Sequence, residues 1–215
     1  MGVDIHQWEM IVAAKVKGRA LSAGYPDLLV EFHDAPIRPD SDAVRFMHNF
    51  QHPVADSIAV FREMGLELEV IDRAVYQGCE RIFDLNEGEL QYPAIFDKYD
   101  LVIDPGTSEH CFNIPQALVN LADAVKVGGV ISQALPMAMF NHGYWNVNPV
   151  ALIDFYELNG FAIERFLIRH DEELFEPKVS ERGRRMTAVP DGAVNLILAR
   201  RLERRAFRWP QQRLP

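Results

Sequence analysis

Between Asp104 and Asn113 the sequence crowds Asp104, Thr107, Ser108, Glu109, His110 and Asn113 into one short stretch. Carboxylates, hydroxyls, an imidazole and an amide can accept, donate and relay protons, and of these histidine titrates nearest neutral pH. A second dense stretch, Pro136 to Pro149, contributes Asn141, His142, Tyr144 and Trp145. The imidazoles are the candidate general bases, His110 first and His142 second. Of the seven histidines, these two follow the ends of two strands that bound one unit of the chain. Glu109, Asn141, Tyr144 and Trp145 are the candidate substrate contacts. Asp104, Glu109, His110 and His142 also offer metal-ligand atoms. No metal is expected, however, because adjacent side chains at 109 and 110 splay apart on either a strand or a helix.

The elements that must position these groups are legible nearby. The apolar run Leu101-Val102-Ile103 stops at Asp104-Pro105-Gly106, the pattern of a strand buried on both faces. Ile114, Ala117, Leu118, Leu121, Ala122 and Val125 follow at helical spacing, with Pro115 in the first turn and Gly128-Gly129 as the stop. Val130 to Leu135 then forms a second strand, parallel to the first across a right-handed crossover. Ligands in open α/β sheets bind at the carboxyl ends of strands, where the reactive stretch lies.

The rest of the chain extends this pattern. A leading helix is expected over residues 1–18, from Ile5, Trp8, Ile11, Val12 and Val16. Arg19 to Gly24 reads as the first and central strand. Residues 31–51 show little periodicity before a helix from Pro53 to Met64. Leu66 to Asp72 is a strand with a carboxylate at its end, placed to accept two hydrogen bonds from a ribose diol. Arg81-Ile82-Phe83-Asp84 is a short strand closing in a polar turn. Beyond the central unit come a helix over Val150 to Asn159, a strand over Phe161 to Ile168, and a polar stretch from Arg169 to Gly192 with the length of a lid. A last strand, Val194 to Ala199, precedes a basic tail over 201–215, read as a solvated end.

Composition bounds the function. The 215 residues, 48% of them hydrophobic, suit one domain, and a formal charge of −9 argues against a nucleic-acid partner. Cys79 and Cys111 lack metal-site spacing and no signal peptide precedes them, which points to a reduced, cytoplasmic setting. No apolar run approaches the roughly 20 residues that span a bilayer. A small-molecule partner is expected, and self-association is left open.

The pattern Asp100-Leu101-Val102-Ile103-Asp104, then Glu109-His110, a helix and Val127-Gly128-Gly129 resembles the middle of the class I S-adenosylmethionine-dependent methyltransferases. The likeness runs from about Arg19 to Arg200. It implies a doubly wound, Rossmann-like α/β fold with seven strands, the last antiparallel, and helices on both faces. It implies S-adenosylmethionine as cofactor, with Gly24 giving room beside its methionine part, Asp72 at the ribose, Asp84 and Leu85 at the adenine, and Asp104 closing the set. Transfer of the methyl group to a small-molecule acceptor would follow. The family's first loop is usually glycine-rich, and here Ser22 to Asp27 holds one glycine. A protein of this fold that has lost catalysis and serves as a binding or assembly partner is therefore the competing reading. A nicotinamide oxidoreductase ranks below both, because Asp72 would suit its ribose but GxGxxG is absent.

Overall fold

The computed structural model describes residues 2–88, 92–177 and 189–211, with Tyr92 described by its backbone. In chain order, β1 (Gly2–Val3) leads into α1 (Ile5–Ala13), followed by β2 (Gly18–Ala23), β3 (Asp27–Leu28), α2 (Ser41–His48) and α3 (Ser57–Glu63). Next come β4 (Leu66–Asp72), β5 (Glu80–Ile82), α4 (Tyr92–Ile95) and β6 (Tyr99–Asp104). After a 3-10 turn over Ser108–His110 follow α5 (Ile114–Ala124), β7 (Val125–Ala138), α6 (Pro149–Leu158), β8 (Phe161–His170), β9 (Glu173–Phe175) and β10 (Ala193–Arg201).

Eight strands form one sheet in the order β5-β4-β2-β6-β7-β10-β8-β9. β2, β4, β5, β6 and β7 pair in parallel, and β10 lies antiparallel between β7 and β8. The doubly wound α/β architecture with an antiparallel last strand is as expected. The eighth strand is β9, a short edge segment folded back on β8 from within the stretch expected to be a loop. Alternation along the strands feeds two cores. Leu21, Val102 and Ile131 pack with Leu118 and Leu121 of α5 and Phe155 and Tyr156 of α6. Ala20, Leu101, Ile103 and Val130 pack on the other face with Met10 and Ile11 of α1 and Val60 and Phe61 of α3. Residues successive in a strand serve opposite faces, so the buried strands read as unbroken apolar runs.

Several boundaries differ from expectation for identifiable reasons. The leading helix is confined to Ile5–Ala13: the Asp4 carboxylate caps it by accepting from Gln7 N at 2.8 Å, and Lys15 turns left-handed at φ 52°. Before it, Gly2 and Val3 pair with Asp27 and Leu28 in a separate two-stranded sheet. α2 lies where no periodicity was visible, because its Phe46 and Met47 face solvent while Val44 is buried. Gly128 and Gly129 do not end α5; they lie inside β7, where the register with β6 shifts between Tyr99 and Leu101. A Cβ on Gly129 would stand 2.9 Å from the Tyr99 carbonyl oxygen, so the bulge admits no side chain there.

Of the expected tail, residues 202–211 are exposed or half-exposed, as a solvated end would be, but its first residue is buried and neighbouring arginines are paired. Arg200 holds Glu164 through Nε at 2.5 Å, and Arg204 pairs with Asp97 at 2.9 Å and stacks over Phe96. Arg201, 2% exposed, donates to the Ala122 and Val125 carbonyls at 3.0 and 3.1 Å and to Asp123 Oδ1 at 3.0 Å. It thereby caps the carboxyl end of α5, which lacks a glycine cap. The expected lid falls partly outside the described residues, at 178–188. Of the remainder, Arg169 and His170 finish β8, and Glu173–Phe175 is β9. No helix among the described residues is long and apolar enough to cross a membrane.

Candidate functional site

The carboxyl ends of β4, β5 and β6 open into a cleft of about 1030 Å³, closed on one side by the loop that follows β7. Asp72, Asp84 and Leu85 line one part; Thr107, His110, Asn141, His142 and Tyr144 line another. Seven of the candidates, Asp72, Asp84, Leu85, His110, Asn141, His142 and Tyr144, thus lie on one concave surface.

On the strand-end side, Asp72 Oδ1 accepts from Arg73 N at 2.7 Å, and burial raises its pKa from the ordinary value. Asp84 Oδ1 accepts from the backbone and side-chain amides of Asn86, both at 2.8 Å. Asn86 in turn accepts from Asn113 N at 2.9 Å, which fixes the turn after β5 to the start of α5.

Four candidates lie outside the lining. Asp104 is fully buried and does not face the cleft. It accepts from Thr107 N at 2.8 Å, Ser108 N at 3.3 Å, Ser108 Oγ at 2.5 Å and Gln133 Nε2 at 2.8 Å, so it organises the turn that carries Glu109 and His110. Gly24, at φ 77°, is tied to the Ile71 carbonyl at 2.8 Å, and Thr107 bonds the Ala23 carbonyl in front of it. Trp145 braces the loop by donating Nε1 to the Phe112 carbonyl at 3.2 Å. Glu109 lies beneath the surface at 1% exposure, under the two histidines. Tyr25 and Pro26 are also outside the lining; the Tyr25 ring lies 4.5 Å from the Arg38 guanidinium, which is itself buried against Asp27 and Asp40.

Glu109, His110 and His142 form one cluster. Glu109 Oε1 stands 3.7 Å from His110 Nε2 and 3.6 Å from His142 Nε2, and the imidazole centroids are 5.1 Å apart. The expectation that residues 109 and 110 splay apart is overturned. They occupy a 3-10 turn, and a third group arrives from the loop after β7. Gly143 lets that loop pass, since a Cβ there would meet Glu109 Cγ at 3.0 Å, and Tyr144 N donates to the Glu109 carbonyl at 2.9 Å. Burial, reinforced by Asp104, pushes the Glu109 carboxyl up to about 8, while burial and His142 lower the His110 pKa. Near neutral pH the carboxyl holds its proton and the His110 imidazole is free to accept one.

Sequence reasoning missed Arg73, Tyr76, Cys111 and Phe112 in the lining. Phe112 directly follows the reactive stretch, yet nothing in residue type distinguishes a rim aromatic from a core one; here Phe112 meets Tyr144 edge-to-face at 5.6 Å. Burial pushes the Cys111 thiol up to about 12, the state of an inert thiol.

No family model matches the sequence, and no curated protein does. Among solved structures, the chain is similar to the 1,6-didemethyltoxoflavin-N1-methyltransferase of Burkholderia thailandensis, bound to 1,6-didemethyltoxoflavin and S-adenosylhomocysteine. The two are 10% identical with a TM-score of 0.51, over 92% of this chain and 76% of that chain. A proposed methyltransferase from Bacillus halodurans is 12% identical with a TM-score of 0.52, over 91% of this chain and 98% of that chain. The fold is therefore that of the class I S-adenosylmethionine-dependent methyltransferases.

Proposed function

We propose that the chain transfers a methyl group from S-adenosylmethionine to a small-molecule acceptor. The observation that carries this reading is the division of one cleft at the carboxyl ends of the strands. Its acidic strand-end side, with Asp72 at the end of β4 and Asp84 and Leu85 after β5, suits a nucleoside. Its other side gathers proton-handling and aromatic groups. A carboxylate accepts paired hydrogen bonds from a ribose diol, and Leu85 beside Phe83 and Ile71 supplies apolar surface for a base. When bound, the cofactor supplies an electrophilic methyl group on its sulfonium.

The chain's own work is then to hold the acceptor in line and to take its proton. His110 is the accepting base, since its lowered pKa leaves the imidazole neutral. His142, Asn141 and Tyr144 complete the wall against which the acceptor rests. Asp104 acts indirectly, by fixing the turn that presents His110.

The single glycine after β2 supports the second reading, a non-catalytic binding protein, because Gly24 itself does not reach the cleft. Calorimetric titration with S-adenosylmethionine, S-adenosylhomocysteine and NAD separates the readings. The proposal expects saturable binding of the first two and none of NAD. Absence of heat with all three would leave the fold without its cofactor.

A further inference from the structure

We propose that Glu109, His110 and His142 form a binding site for one divalent transition-metal ion at the acceptor side of the cleft. The site's existence is independent of methyl transfer, and its use in activating an acceptor rests on that reading. Three ligand atoms, one from each residue, lie within 4.8 Å of one another. Two nitrogens and one oxygen bonded at about 2.0–2.1 Å to a common ion stand roughly 2.9–3.4 Å apart. The observed 3.6 and 3.7 Å separations from Glu109 Oε1 close to about 3.4 Å by a few tenths of an ångström, and the two half-exposed imidazoles, whose ligand atoms lie within 4.8 Å of each other, close the third side by rotation of the rings.

A second observation points the same way. Glu109 is 1% exposed, and its Oε2 is buried with no hydrogen-bond partner. A buried carboxyl oxygen left unmatched costs free energy unless something completes it. The other carboxyl oxygen, Oε1, faces the two imidazole nitrogens, and a cation held there by both carboxyl oxygens would also give Oε2 its missing partner. The imidazoles are 42% and 43% exposed, so an ion enters from the cleft and keeps coordination positions open toward it. Two histidines and one carboxylate with open positions suit the borderline cations Zn²⁺, Fe²⁺, Co²⁺ and Mn²⁺, whereas Mg²⁺ and Ca²⁺ favour all-oxygen sets.

The ion changes the chemistry of the acceptor side. In the ion-free protein His110 takes the proton itself. With an ion bound, His110, His142 and Glu109 would be its ligands, and the ion would make an acceptor hydroxyl resting on the open side more acidic, so that its proton could pass to solvent.

The test titrates metal-free full-length protein with Zn²⁺ by calorimetry and with Co²⁺ by visible absorption. His110→Ala and His142→Ala, both at exposed positions, and Glu109→Gln are run alongside, with Mg²⁺ as the contrasting ion. Expected are one site per chain, weak or no response to Mg²⁺, and a loss of Zn²⁺ affinity in each variant. That loss should exceed the roughly 10–100-fold that removing a ligand's hydrogen-bond partner costs. Wild-type protein that takes up no Zn²⁺, or histidine variants that bind it as tightly as wild type, would overturn the proposal. S-adenosylhomocysteine binding measured in parallel keeps the two ideas apart. Cofactor binding without ion uptake rejects the metal site alone, and ion uptake without cofactor binding rejects the methyltransferase reading alone.

Discussion

The proton balance at Glu109 ties burial to function. Its ordinary pKa of 4.5 rises to about 8 in the folded chain because the carboxyl is desolvated, with the charge of Asp104 adding to the effect. Between those values the folded protein keeps a proton that the unfolded chain releases. This contribution to stability is therefore full below about pH 4.5 and is lost as pH rises through about 8. Melting temperatures of the ion-free protein should fall further between pH 5 and pH 9 in wild type than in Glu109→Gln, and parallel curves would show that the carboxyl titrates normally. His110 is probed by kinetics. His110→Ala should lower turnover by roughly 10²–10⁴-fold with melting temperature and cofactor affinity held. Near-normal turnover would move the role to His142. These two histidines were visible in the sequence because each follows the end of a buried strand. Their meeting with Glu109 was not, since it depends on a 3-10 turn and on Gly143 letting a loop from 33 residues downstream of His110 close over the carboxylate.

Among elements, those around β6, α5 and β7 carry the site, and they were also the most legible, because Leu101 to Ile103 is apolar on both faces, Val130, Ile131, Ala134 and Leu135 are apolar around the buried Ser132 and Gln133, and α5 buries a continuous stripe. Legibility failed where side-chain type and environment part company. Phe46 and Met47 are exposed on α2, and Arg201 is buried under α5. That arginine ends a helix that no glycine ends, and it lies in a segment whose charge suggested solvent. Removing it strands the α5 carbonyls and weakens the neutralisation of Asp123 in a dry setting. Breaking a buried pair from one side typically costs about 3–5 kcal/mol. Arg201→Ala should lower unfolding stability by about that much, measured by urea denaturation, and a loss under 1 kcal/mol would mean that water replaces the guanidinium.

At the scale of the whole molecule, a two-faced sheet holds one ligand-sized cleft at its strand ends, and the chain returns to the neighbourhood of that edge after β8. Gly192 N donates to the Ala138 carbonyl at 2.6 Å, so the stretch leading into β10 is rooted beside the end of β7. The lid expected over residues 169–192 falls at 178–188 outside the described residues, and we propose only that this stretch serves turnover. Replacing 178–188 with a Gly/Ser stretch of equal length should leave the melting temperature in place and reduce turnover, and unchanged turnover would make the segment irrelevant to catalysis.

We propose that the strand-end half of the cleft holds S-adenosylmethionine, and Asp72 is the residue at which that reading stands or falls. Titrating S-adenosylhomocysteine into wild type and Asp72→Ala should give saturable binding that the substitution weakens by about 1.5–3 kcal/mol, the worth of hydrogen bonds to a charged group. This corresponds to roughly 10–150-fold in affinity. Equal affinities in the two proteins would remove the ribose from Asp72, and no binding by wild type would mean that the cleft does not take this cofactor.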